Sequence, residues 1–130
     1  MGIYLNPGKT AYEEAVNSEI FVDKTEMILY LNSIVKTEQK YVCVSRPRRF
    51  GKSMAAKMIS AYYDREADSR GLFERCKLSS VKDDRVRWDQ YLGRYDVIKV
   101  VMTDFFKKGV TIDAALERLQ KLIVRDLSCA

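Results

Sequence analysis

The residues with the clearest chemical use are Ser45-Arg46-Pro47-Arg48-Arg49-Phe50-Gly51-Lys52-Ser53. Gly-Lys-Ser between a β-branched run and an amphipathic stretch is the second half of a phosphate-binding loop. Amides at the start of a helix have no intrahelical acceptor, so they can point at phosphate oxygens. Gly51 allows backbone approach where a Cβ would collide. Lys52 then reaches phosphate as a point charge, and the Ser53 hydroxyl is placed to ligate Mg²⁺. The full pattern also wants glycine five positions before Gly51, and that residue is Arg46. The first turn then falls to Arg46-Pro47, using proline's fixed φ. The bland alternative is an ordinary strand–turn–helix with a basic cap.

Composition removes other chemistries. The 130 residues contain no histidine, which excludes Ser-His-Asp and Cys-His nucleophile systems and His-ligated metals. The cysteines Cys43, Cys76 and Cys129 are scattered, with no Cys-x-x-Cys pair. An odd, scattered set without a signal peptide indicates a reducing cytoplasm. Cys43 is expected to be a small buried hydrophobe. No apolar run is long enough to span a membrane. Lys and Arg outnumber Asp and Glu by 23 to 18, a net charge of +5, with 47% hydrophobic residues, which describes a globular chain.

The elements that must position the loop follow from periodicity. Residues 10–17 read as a short helix with Thr10 and Glu13 spaced as a capping box. Residues 19–22 read as a short strand or extended lead-in. Asp23 and Glu26 repeat the capping spacing and open a helix to about Val35. Residues 40–45 are compact and β-branched, a strand feeding the loop. A helix from about Gly51 to Asp64 buries Met54, Met58, Ile59 and Tyr62. Residues 96–102 form a second strand, and 111–127 a final helix with the stripe Ile112, Ala115, Leu116, Leu119, Leu122 and Ile123. This order predicts an α/β fold: an incomplete three-layer P-loop NTPase core, its short parallel sheet flanked by helices. Two or three strands do not complete such a core, and the final helix has no strand after it to receive its crossover.

The segments Phe21-Val22-Asp23-Lys24-Thr25, Ser45–Ser53, Ala61-Tyr62-Tyr63 and Leu72-Phe73 resemble the AAA-ATPase-like family of prokaryotic predicted ATPases. The similarity spans most of residues 19–105, and arginine in place of the first loop glycine is the family's own form. The resemblance implies binding of ATP with Mg²⁺ through residues 46–54. The nucleotide-binding residues it implies are Arg48, Arg49, Phe50, Gly51, Lys52, Ser53 and Met54, with Ser53 also on the metal; no catalytic residue is assigned. It further implies that residues 1–130 are the N-terminal part of the ATPase domain, ending before the acidic Walker B strand. The partners implied are the rest of that domain and, in many members, a nuclease domain. Hydrolysis by this chain alone is then not expected.

Other residues have two readings. Asp104 sits where a metal-binding acid would sit, but Phe105-Phe106-Lys107-Lys108 follow instead of a second carboxylate, which favours a strand-end role. Asp23-Lys24-Thr25 can lie near the nucleotide, yet capping explains the segment. Trp88, Tyr91 and Tyr95 suit an aromatic anchor better than base stacking. The basic residues Arg75, Lys77, Lys82, Arg85, Arg87 and Arg94 can contact nucleic acid, but the interspersed Asp83, Asp84 and Asp89 favour a solvated face. An open sheet edge would also allow pairing with a second copy.

Overall fold

A computed structural model describes residues 3–45, 51–82 and 87–129. Five helices build one body: α1 (Thr10–Val16), α2 (Met27–Ile34), α3 (Lys52–Tyr63), α4 (Arg70–Glu74) and α5 (Lys77–Ser80). A single 3₁₀ turn, Met102–Asp104, leads to α6 (Ile112–Ser128).

The body is held by the inward residues of α3. Met58, Ala61 and Tyr62, at helical spacing, are almost fully buried, whereas Met54 and Ile59 are half-buried. Around them close Tyr12 of α1, Ile28 of α2, Phe73 of α4 and Leu78 of α5. Phe73 is the hub: the Tyr12 ring stacks on it at 5.4 Å and the Tyr62 ring meets it edge-on at 5.4 Å. Each such side chain contributes about 1.5–3 kcal/mol through burial. Several polar atoms inside are paired. Asn32 donates to the Tyr62 hydroxyl at 2.9 Å and accepts from the Tyr63 hydroxyl at 2.6 Å. The Tyr62 hydroxyl donates to the Trp88 carbonyl, and Ser69 Oγ to the Ala61 carbonyl. Tyr91 and Tyr95 are half-buried against the same core, as an aromatic anchor should be.

The expected sheet is absent among the described residues, and the α/β expectation is overturned: the chain is mainly helical. Among these residues two isolated bridges occur, Leu5–Ile98 (antiparallel) and Asp64–Tyr95 (parallel). The physical reason lies in what pairs with residues 96–102. The N-terminal segment takes that position: Asn6 N–H donates to the Val97 carbonyl at 2.7 Å and Lys99 N–H to the Tyr4 carbonyl at 2.8 Å. A side chain then replaces the ladder, because Val97 N–H donates to Asn6 Oδ1 at 2.8 Å. Residues 40–45 are exposed throughout, Tyr41 by 85%, and meet no strand partner. A parallel strand needs cover on both faces, and here only Lys40 and Val42 face the body, across a cleft from Ile34, Ile59 and Tyr63. Cys43, expected inside, is exposed with this segment; Cys76 is the buried cysteine.

Two helix starts differ from expectation. Lys9, not Thr10, is the N-cap of α1, and Glu26 is the N-cap of α2, both without a side-chain cap. Helix α6 starts with a side-chain cap, Thr111 Oγ1 accepting from Ala114 N–H at 3.3 Å. Its apolar stripe is only partly covered, with Leu119, Leu122 and Ile123 half-buried. Ala115 is buried, whereas Ile112 is 66% and Leu116 42% exposed. Asp126 ties α6 to the N-terminal segment by accepting from Tyr4 N–H at 2.7 Å. No helix among the described residues is long and apolar enough to cross a membrane.

Candidate functional site

The strongest chemical feature of the sequence falls at the start of α3. Gly51 adopts φ +84°, ψ +20°, the left-handed region that glycine enters without strain. The first helical bond of α3 runs from Ala55 N–H to the Gly51 carbonyl at 2.9 Å. The amides of Ser53 and Met54 precede that bond in the turn, where a helix leaves its donors open. No side chain caps α3, and its first turn contains no acid. Lys52 and Ser53 are exposed, and Met54 is half-buried. The backbone dipoles make this end of the helix attractive to anions. Arg46, Arg48, Arg49 and Phe50, also expected at the site, lie outside the described residues.

A second lysine converges on the same place. A Cβ added to Gly51 would stand 3.1 Å from Lys24 Nζ. The backbone on both sides of Lys24 is pinned. Asp23 Oδ1 accepts from the Thr25 amide at 2.9 Å and from its hydroxyl at 2.6 Å. Asp23 Oδ2 accepts from Lys77 N–H at 2.8 Å, and Thr25 Oγ1 accepts from Leu78 N–H at 3.0 Å. Asp23 and Thr25 thus cap α5 rather than α2. Partial burial works against the Asp23 charge, but the hydrogen bonds from Thr25 and Lys77 outweigh it and hold the carboxyl below its ordinary range. Asp23 is accordingly spoken for by structure.

Beside Gly51 opens a cavity of about 360 Å³, lined by Tyr12, Ile20, Phe21, Val22, Lys24, Gly51, Met54, Ala55 and Met58. Its floor is the buried pair Tyr12 and Met58; at its mouth Ile20 is 87% and Val22 66% exposed. Phe21 meets the Tyr12 ring edge-on at 6.2 Å. Burial, then the neighbouring Cys76 thiol, pushes the Tyr12 phenol up, and among the described residues its buried hydroxyl makes no well-formed hydrogen bond. Sequence reading passed over this cavity. Its signal was Ile20-Phe21-Val22, three apolar residues directly before Asp-Lys-Thr, which make little sense on an exposed lead-in.

The remaining candidates lie elsewhere. Asp104 ends the exposed 3₁₀ turn and is not part of the cavity lining. Trp88 is half-buried, with the Arg70 guanidinium 5.6 Å from its ring, and so already has a cation on it. Arg70 and Arg87 both pair with Asp89, at 3.1 and 3.3 Å, which neutralises part of the basic face. Arg85, Asp83 and Asp84 lie outside the described residues. Among the described residues no group of three or more Cys, Asp or Glu could hold a metal on its own. The Ser53 hydroxyl is a single weak ligand that suits a cation already carried by phosphate.

No curated protein and no solved structure matches the chain. The family model described as a predicted AAA-ATPase matches residues 8–128, nearly its whole length. The match covers α3 and its glycine cap, the Asp23–Thr25 clasp and the whole of α6. The chain belongs to the AAA-ATPase-like family of predicted AAA-ATPases.

Proposed function

We propose that the chain is the phosphate-gripping part of an ATPase and binds ATP with Mg²⁺ at the start of α3. Gly51 at positive φ, opening a twelve-residue helix whose first turn is Lys52-Ser53-Met54, carries this reading. The Ser53 and Met54 amides donate to phosphate oxygens, Lys52 adds charge, and the Ser53 hydroxyl faces the cation. Arg48, Arg49 and Phe50 complete the turn in sequence. The fit rests on donor chemistry: open amides, a lysine, a hydroxyl and no acid in the first turn to repel phosphate. When bound, Mg²⁺ neutralises phosphate charge and orients the terminal phosphoryl group. Hydrolysis also needs an acid on the metal and a group that positions the attacking water. This chain is assigned the grip, and the acid is assigned to the rest of the domain.

Calorimetry with Mg·ATP on the full-length protein tests the reading. Lys52→Ala is expected to weaken binding at least about tenfold, the scale of a charge-assisted contact. Equal affinity in the two proteins would overturn it.

A further inference from the structure

The cavity beside Gly51 is continuous with the phosphate grip, because Gly51, Met54 and Lys24 line it. Its walls are apolar or aromatic apart from Lys24. At about 360 Å³ it lies near the small end of ligand pockets, roughly 300–1,000 Å³. That suits a planar heterocycle better than a peptide. The exposed Ile20 and Val22 at its mouth are the kind of apolar side chains that a bound ligand covers. Charge is arranged to match: Lys24 Nζ stands on the Gly51 side, so the apolar and cationic ends of the site meet at Gly51. A nucleotide has the same polarity, with a flat base at one end and phosphates at the other.

We propose that this cavity seats the nucleobase, with Phe21 as its aromatic wall, and that Lys24 is a second phosphate-binding cation at the junction. The proposal rests on the phosphate reading of α3 and extends it to the other end of the ligand. Two features give it physical content. Base–aromatic contact is a sizeable, sequence-tolerant source of affinity. Lys24 also reaches the grip from a backbone already fixed by the Asp23–Thr25 clasp, so little freedom is lost on binding.

Two ligands separate the ends of the site: Mg·ATP, and inorganic tripolyphosphate, which has no base. In the full-length protein Ala55→Trp, which fills the cavity, is expected to weaken ATP about tenfold and to leave tripolyphosphate within about twofold. Lys24→Gln should weaken both ligands to a similar degree. If Lys52→Ala weakens ATP while Ala55→Trp and Lys24→Gln do not, this proposal fails and the phosphate reading stands. If Lys52→Ala also has no effect, both fail. Photolabelling of the unmutated protein with 8-azido-ATP covers the case in which Ala55→Trp does not fold. Saturable labelling of residues 20–24 or 54–58 is expected. Labelling confined to other segments, or none that saturates, overturns the cavity assignment.

Discussion

Helices α3 and α6 are both amphipathic, yet only α3 closes a core. The inward face of α3 meets α1, α2, α4 and α5, and Met58, Ala61 and Tyr62 are at most 2% exposed. The apolar stripe of α6 is covered only in part: Leu119, Leu122 and Ile123 are half-buried, whereas Ile112 and Leu116, and Val124 and Leu127 beside the stripe, are all more than 40% exposed. The difference lies in what surrounds each helix. Around α3, buried side-chain bonds tie the neighbouring elements down, such as Ser69 on the Ala61 carbonyl and Thr25 on the Leu78 amide. Helix α6 is held by the buried Ala115, by the half-buried Leu119, Leu122 and Ile123, and by the Asp126 carboxylate on the Tyr4 amide. An amphipathic pattern reports a demand for a partner; only the tertiary surroundings show whether the demand is met.

The largest test of this contrast is a pair of truncations. Phe73→Ala removes the hub of the body and should cost about 3–5 kcal/mol in urea unfolding. Leu116→Ala removes a half-exposed side chain and should cost less than about 1 kcal/mol. Comparable losses would mean that α6 is packed as tightly as α3. A smaller effect is expected at Asn32→Ala, at about 1–3 kcal/mol. It strands the buried Tyr63 hydroxyl, whereas the Tyr62 hydroxyl keeps the Trp88 carbonyl.

The smallest effect concerns acid. The Asp23 carboxyl has a lowered folded-state pKa, so its contribution is present above the unfolded value of about 4 and is lost as pH falls through the folded value. Asp23→Asn should therefore flatten the acid limb of the stability curve and leave its behaviour above pH about 6 nearly parallel to the parent. Asp126 is lowered too, chiefly by the Tyr4 amide. Its replacement by Asn should loosen α6, seen as faster amide exchange there, with little change in the unfolding of the body. If Asp126→Asn shifts global unfolding as much as Asp23→Asn does, the division into a tight body and a tethered helix is wrong.

The helices were legible in the chain because their signals are local. The α3 spacing of Met58 and Tyr62 and the α6 run from Ile112 mark their own elements, and Gly51 marks its own turn. The sheet was misread because β-branched composition in residues 40–45 and 96–102 says only that a partner is wanted. Which backbone answers is a long-range matter, and here Tyr4 and Asn6 answer for 97–99. The phosphate end of the candidate site was visible as contiguous residues. Its apolar end was not, since Tyr12, Phe21 and Met58 are brought together only by the packing of α1 and the 20–24 segment on α3. Asp23 and Thr25 were recognised as capping residues, but their acceptors serve Lys77 and Leu78, more than fifty positions away.

The chain's one tryptophan gives the tight body an optical reporter of its own. Trp88 packs on the core, its carbonyl accepts from Tyr62, and the Arg70 guanidinium lies over its ring. Its fluorescence therefore follows the docking of α4 against α3 and is blind to α6, which has no tryptophan. Emission and far-ultraviolet dichroism, which also counts the long α6, would be expected to part company on heating. The gap between the two melting curves would measure how independently the tethered helix comes away.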